Sequence, residues 1–315
     1  MAKPKCLILL STYNGEKFLE EQLHSLQKQE GVELALLIRD DGSNDHTLSI
    51  IHQFIKDSTI NIKLLQANNV GAKASFFELL SIASEEYFEY DYFAFCDQDD
   101  IWKPNKLIRA IQMLNNEHQS LPLMYCSATQ MVNTDLSYIS VWPSAPEKKL
   151  SIYNALVENI AVGCTSVLNK KALNLISSSP PINIKHLIMH DWWAYLCVST
   201  FGKVIFDSEP FILYRQHSNN VLGGQTDNLF TKWKKRFIRY FKAQNHYIIS
   251  NQAKEFYNCF NPLLDEQQRL ALHDFIKNTT SNGLSRLMYA MRTPFYRQAL
   301  ADQFILKLII LLGKI

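Results

Sequence analysis

Short apolar runs alternate with longer amphipathic stretches through the first half of the chain. Residues 6–10, 34–38, 62–66 and 92–96 each form a run about as long as a buried strand. Between them the spacing changes. Residues 17–29 put Phe18, Leu19, Leu23 and Leu26 on one helical face, 47–55 repeat the pattern, and 71–84 turn Phe76, Leu79, Leu80 and Ala83 inward. Pro104 stands where it opens a helix over 105–115. Further along, 123–129 and 159–169 read as strands, 135–150 as a loop carrying Trp142, Pro143 and Pro146, and a helix with Trp192, Trp193, Tyr195 and Leu196 starts near residue 191. Strands alternating with helices predict an α/β fold, a mostly parallel twisted sheet with flanking helices. Ligands of such sheets bind outside the carboxyl ends of the strands.

Those strand ends are unusually polar. The first run leads into Ser11-Thr12-Tyr13-Asn14-Gly15-Glu16, the second into Arg39-Asp40-Asp41-Gly42-Ser43-Asn44-Asp45, and the fourth into Asp97-Gln98-Asp99-Asp100. Gly42 permits a tight turn, and Ser43 or Asp45 can cap the helix that follows. Carboxylates crowded at a strand end repel one another unless a cation or a hydrogen-bond network is present. Two at alternate positions can share a hard divalent ion that also reaches a substrate's phosphates. A single D-x-D is an ordinary polar cap more often than a site; the second acidic cluster, after an earlier strand, reverses that reading.

The three segments, in this order and at these separations, resemble the inverting family 2 glycosyltransferases, whose nucleotide-diphospho-sugar transferase fold is called GT-A. His190-Asp191-Trp192-Trp193 occupies the place of that family's catalytic acid residue. Leu213-Tyr214-Arg215-Gln216-His217-Ser218-Asn219-Asn220 is similar to the closing segment of its bacterial rhamnosyltransferase-like branch. The resemblance spans about residues 3–225. It implies a catalytic domain over 1–225, followed by a helical region over 226–315 that is a candidate for membrane association.

It also implies roles. Asp99 becomes the first ligand of a divalent metal, Mg2+ or Mn2+, with Asp97 on the ribose or in the metal's water shell and His217 on the metal or the diphosphate. Arg215 matches phosphate oxygens through its planar fork, with a structural salt bridge as the alternative. Asp41 accepts from the imide of uracil or thymine, Tyr13 flanks the base, and Thr12, Asn14 and Glu16 complete the nucleotide side. Asp40 reads as a turn cap, and Asp100 as a residue that orients its neighbours or begins a helix. Asp191 is the general base that inversion requires. Where the family shows Glu-Asp this chain has His190-Asp191, so His190 is left to tune or orient Asp191, and the two tryptophans offer aromatic faces to sugars. The implied reaction transfers one sugar, L-rhamnose from dTDP-rhamnose first, from a dTDP- or UDP-sugar to a glycan or lipid-linked oligosaccharide acceptor. A UDP-sugar glucosyl-, galactosyl- or N-acetylhexosaminyltransferase is the alternative, and a non-catalytic sugar-nucleotide-binding protein a remote one.

Composition narrows the rest. The chain has 315 residues, 47% apolar and 20% charged, enough for a sizeable core and too apolar for disorder. A net charge of +2 gives no global sign of nucleic acid as a partner. Six scattered cysteines without a C-x-x-C pair read as reduced thiols of a cytoplasmic protein, soluble or peripheral on the inner face of the plasma membrane. The run at 6–10 behind Lys3 and Lys5 is too short for a signal peptide. Residues 228–254 hold seven basic residues interleaved with aromatics and no acid. That stretch is either a membrane-surface helix or a solvated one packed on the catalytic domain. The apolar run 304–312 is well below the roughly twenty residues of a membrane span; it lies in an interface, docks on a partner or completes a helical core. The Q-x-x-R-W segment of processive synthases is absent, as is the Gly-rich first loop of a sugar-nucleotide pyrophosphorylase.

Overall fold

A computed structural model describes residues 2–217 and 247–315. The chain divides into two compact units that interleave along the sequence: Met1–Ala145, Ala161–Ser178 and Phe201–Gly224 in one, Pro146–Ile160, Ser179–Thr200 and Gln225–Ile315 in the other.

The first unit is built on the alternation read above: β1 (Lys5–Thr12), α1 (Leu19–Gln27), β2 (Glu33–Asp40), α2 (Thr47–Asp57), β3 (Asn61–Gln66), α3 (Ala72–Glu86) and β4 (Tyr92–Cys96). There follow β5 (Ile101–Trp102), α4 (Lys106–Asn115), β6 (Leu123–Ser127), β7 (Thr129–Val132) and β8 (Tyr138–Trp142). After an excursion into the second unit come β9 (Val167–Asn169), α6 (Lys170–Ser178), β10 (Lys203–Asp207) and β11 (Ile212–Arg215). Seven strands form one sheet in the order β10-β6-β9-β4-β1-β2-β3, and β5-β11-β7-β8 form a second. The central neighbours β4, β1, β2 and β3 run parallel, while β9 is antiparallel to both β4 and β6. Strands of the centre are apolar throughout because both faces are covered: Leu7, Ile8, Leu9 and Leu10 of β1 and Phe93, Ala94 and Phe95 of β4 are all buried. Register aligns Thr12 with Asp40 and Leu10 with Cys96, so the three polar strand ends lie side by side.

Three expectations need correction. The run 159–169 is not one strand. Residues Gly163–Thr165 make a 3-10 turn closed by Thr165 N–H donating to the Val162 carbonyl at 2.9 Å, and only Val167–Asn169 enters the sheet. The run 123–129 breaks at Ala128, where the chain leaves the large sheet for the small one. Residues 135–150 are not all loop, since Tyr138–Trp142 pairs with β7.

The second unit is helical. Its elements are α5 (Ile152–Ala155), α7 (His190–Phe201), α8 (Ile248–Phe260), α9 (Glu266–Thr279), α10 (Gly283–Arg292) and α11 (Leu300–Leu312). Its core is aromatic. Trp193 packs on Phe256 and Phe260 with ring centroids 5.6 and 6.0 Å away, and Phe275 on Phe295 at 5.0 Å. Asp265 and Gln268 form a capping box that starts α9. Residues 148–158 are fastened to 296–298: Lys148 N–H donates to Gln298 Oε1 at 2.7 Å, Tyr296 N–H to the Tyr153 carbonyl at 2.9 Å and Gln298 N–H to Glu158 Oε2 at 2.7 Å. No helix among the described residues is long and apolar enough to cross a membrane. The basic stretch 232–242 lies outside the described residues.

Candidate active site

The loops after β1 and β2 are stitched together. Asn14 N–H donates to Ser43 Oγ at 2.9 Å while Asn44 N–H donates to Asn14 Oδ1 at 2.9 Å. Gly15 N–H donates to Thr47 Oγ1 at 2.7 Å, Glu16 N–H to Asp45 Oδ2 at 3.1 Å, and His46 N–H returns to Glu16 Oε2 at 3.0 Å. Asn14 reaches this arrangement with a left-handed φ of 46°, which Asn tolerates better than most residues. Asp40 is a turn cap, accepting from Thr12 Oγ1, Ser43 N–H and Ser43 Oγ at 2.6–2.9 Å. So the side chains of Asn14 and Glu16, read from the sequence as nucleotide contacts, here spend hydrogen bonds on their neighbouring loop.

Asp41 is buried. Its carboxylate takes Arg39 Nη1 at 2.5 Å and the backbone N–H groups of Val70 and Gly71 at 2.8 Å each. Arg39 also donates to Glu78 Oε2 at 2.6 Å. A carboxylate offers about four acceptor positions, and three are used. Removing one partner of such a buried pair typically costs about 3–5 kcal/mol, because the other charge is stranded.

The acidic loop is tied to the first loop by a residue the sequence reading passed over. Gln98 Oε1 accepts from Tyr13 N–H at 2.8 Å, and its Nε2 donates to the Tyr13 carbonyl at 3.0 Å. Gly15 stands where a Cβ would collide with that Gln98 amide. The Tyr13 ring itself is 44% exposed. Asp99 Oδ2 lies 2.7 Å from His217 Nε2, and the His217 ring tilts over Phe18 at 5.2 Å. Arg215 is buried beside them. Its Nε donates to the Asp99 carbonyl at 3.1 Å, its Nη1 to the Thr134 carbonyl at 2.7 Å and its Nη2 to Glu21, with the guanidinium 4.4 Å from the Phe18 ring centre. Its backbone N–H donates to Asp100 Oδ1 at 3.2 Å. The fork is therefore turned inward, where it holds the acidic loop.

Beneath the loop lies a buried floor of ionisable groups. Asp100 is fully buried and its Oδ2 has no hydrogen-bond partner. Burial, then the charges of Asp99 and Asp97, push its carboxyl well above the usual range. The Lys106 ammonium is also buried, 3.2 Å from the centre of the Trp102 ring. Burial pushes it down to about 8. A lysine in the first turn of an amphipathic helix gives no sign in sequence of facing inward. Ligand atoms of Asp97, Asp100 and Cys164 lie within 4.8 Å of one another. Two carboxylates in common reach, one with an orphaned oxygen, fit a hard divalent cation. Asp100, given a helper's role from sequence, belongs to that set.

In the second unit, Asp191 is the second residue of α7, almost fully buried. It accepts from Asn159 Nδ2 at 3.1 Å and from Trp192 N–H at 2.7 Å. Trp193 is core, not a sugar platform: it is fully buried, because the same helix face must pack Phe256 and Phe260. Trp192 is half-buried and donates to the Ala155 carbonyl at 2.6 Å. His190 is pushed down to about 3 by complete burial, so it is neutral at neutral pH and brings no charge to Asp191. The sign follows. The unfolded chain takes up the proton near pH 6.5 and the folded one does not, so stability falls as pH drops from about 6.5 towards 3. The slope expected from this one group is about 1.4 kcal/mol per pH unit. His190→Leu should flatten the urea midpoint against pH in that window; an unchanged slope would place the acid lability in other groups.

Residues 7–176 match the family model described as Glycosyl transferase family 2. That stretch includes Asp41, Asp97, Asp99 and Asp100 and stops short of Asp191, Arg215 and His217. Over 320 aligned residues the chain is 29% identical to the dTDP-rhamnosyl transferase RfbG of Shigella flexneri, covering 96% of this chain and 99% of that one. It is 28% identical over 230 residues to the UDP-Glc:alpha-D-GlcNAc-diphosphoundecaprenol beta-1,3-glucosyltransferase WfgD of Escherichia coli, covering 72% and 83%. Among solved structures, S. aureus TarS 1-349 in complex with UDP superposes with a TM-score of 0.57 at 17% identity, over 95% of this chain and 77% of that one, a likeness of fold.

Proposed function

The chain belongs to glycosyl transferase family 2 and has the GT-A fold, and from that premise we propose that it is an inverting enzyme moving one L-rhamnosyl unit from dTDP-rhamnose to a growing, lipid-linked glycan of a bacterial surface polysaccharide. What carries the choice of rhamnose is the similarity to RfbG along nearly the whole of both chains. A UDP-sugar is the second reading, favoured by the similarity to the WfgD glucosyltransferase. The proposed catalytic domain is 1–225, with 226–315 a helical region that rests on the cytoplasmic face of the membrane.

In this reading the half-exposed Tyr13 flanks the base, with Thr12, Asn14 and Glu16 shaping that side, and the remaining acceptor position of Asp41 takes the imide N–H. Asp97 and Asp100, whose oxygens lie in common reach, and Asp99, held by His217 outside that cluster, would supply the carboxylates for Mg2+ or Mn2+, which would provide Lewis-acid stabilisation of the diphosphate. Arg215 acts by bracing Asp99 rather than by reaching a phosphate. Asp191 accepts the proton of the acceptor hydroxyl as its oxygen bonds to the anomeric carbon. The bond to the diphosphate breaks on the opposite face, and its electron pair leaves with the nucleotide.

The test is a panel of dTDP-rhamnose, UDP-glucose, UDP-galactose and UDP-N-acetylglucosamine, offered with extracted lipid-linked acceptor and read by product mass. A deoxyhexose increment from dTDP-rhamnose alone is expected. A hexose increment from a UDP-sugar installs the second reading, and no product from any donor defeats both.

A further inference from the structure

Charge is distributed unevenly along the chain. Residues 225–315 carry fourteen Lys and Arg against six Asp and Glu, a net +8, while residues 1–224 carry eighteen against twenty-four, a net −6. Within the basic part, α10 has an apolar face that the described residues leave open. Leu284, Leu287, Met288 and Met291 stand at i, i+3, i+4 and i+7, one stripe of a helix, and are 69, 42, 46 and 66% exposed. The core-facing side of the same helix is separate: Tyr289 and Ala290 are buried, with Tyr289 against Phe275. The charged residues of α10 are Arg286 and Arg292, with no acid. Helix α11 packs against α10 and has its own open positions one turn apart, Leu300 and Phe304, 84 and 68% exposed. Arg286 locks the pair, donating to the Leu311 carbonyl at 3.0 Å and the Ser281 carbonyl at 3.1 Å.

We propose that the stripe Leu284–Leu287–Met288–Met291, extended by Leu300 and Phe304, docks this protein on an anionic lipid bilayer. A helix in an interface sinks its apolar face to the headgroup boundary and leaves its cations level with the phosphates. Exposed Leu, Met and Phe, with Arg292 at the end of α10 and Lys307 one turn beyond Phe304 on the same face of α11, meet both demands. Charge decides between occupants. The described residues 247–315 carry eight Lys and Arg against five Asp and Glu, a net +3; a second copy would set that charge against its like, and repulsion opposes the pairing, whereas an anionic leaflet attracts it. The purpose of the docking rests on the lipid-linked acceptor proposed above; the docking itself needs no acceptor and is measured without one.

The experiment is flotation of the full chain with vesicles of phosphatidylcholine containing about 30 mol% phosphatidylglycerol, and with phosphatidylcholine alone. The protein should partition onto the anionic vesicles at least about tenfold more strongly than onto neutral ones. That advantage should shrink in about 0.5 M NaCl, where screening is short-ranged. Leu287→Gln with Met288→Gln and Met291→Gln should reduce partitioning about tenfold or more. Leu270→Gln, an exposed residue of α9 off the stripe, should leave it unchanged. Thermal melting and donor hydrolysis in vesicle-free buffer establish that the variants are folded with an intact site. Those same assays separate a failure of docking from a failure of the glycosyltransferase reading. Equal partitioning onto both vesicles, no binding to either, or a triple variant that binds like the wild type each overturns the proposal. So does light scattering showing a wild-type dimer that the triple variant dissolves, since the stripe would then belong to a second copy.

Discussion

Asp99→Ala is expected to lower sugar transfer by at least about a hundredfold while leaving the fold in place. The residue's backbone carbonyl, not its carboxylate, receives Arg215, so the brace on the acidic loop survives the substitution. What disappears is the carboxylate that His217 holds at 2.7 Å, one of three acids in the loop. The departing diphosphate gathers negative charge as its bond breaks, and a divalent ion contributes several kcal/mol to stabilising it. A cluster short of one carboxylate holds that ion more weakly. The wild type should need Mg2+ or Mn2+, and the variant should recover part of its rate only at much higher metal concentration. Transfer rates across a metal titration, set beside melting temperature, check this. Full wild-type activity in excess chelator removes the metal from the mechanism.

Asp191→Asn should cut turnover by about two to four orders of magnitude, the usual cost of losing a general base, with little change in donor affinity. The substitution is nearly isosteric. The amide keeps an oxygen that can still accept from Asn159 or from the Trp192 N–H, so the start of α7 is preserved. Basicity alone is removed. His190 offers no substitute base, since burial makes its imidazole a much weaker proton acceptor and keeps it from solvent. Steady-state rates with donor and acceptor varied separately decide the matter. Unchanged turnover together with a much lower melting temperature would make Asp191 a helix cap and nothing more.

The parts of this site that were legible in sequence are those determined locally. An apolar run followed by acids is a strand end wherever it occurs, and the carboxyl ends of β1, β2 and β4 were readable because their neighbours are fixed by parallel pairing. Asp40 as a turn cap needed only the residues up to Ser43. What was not legible depends on partners far away in the chain. Arg215 meets Glu21 across 194 positions, and Gln98 meets Tyr13 across 85. Nothing near residue 215 indicates that its guanidinium turns inward rather than towards a phosphate. Trp193 looked available because an aromatic pair beside an acid suits a sugar; the rings that cover it are some sixty positions later. The run at 159–169 misled because apolar residues without alternation fit a buried turn as well as a buried strand.

The placement of β9 has a bearing on how the chain is made. Among the described residues, β6 joins the large sheet through β9 on one side and β10 on the other. Both are later in the sequence. As the chain leaves the ribosome, β1 to β4 can pair as soon as they appear, but β6 emerges with no strand to join. The next partner, Val167, lies forty residues beyond Ser127, roughly 2–8 s of synthesis at usual rates. For that interval the apolar residues of β6 and the free edge of β4 are both open to wrong neighbours. Three residues, Val167 to Asn169, then close two gaps at once, which makes the shortest strand of the large sheet the keystone of its assembly.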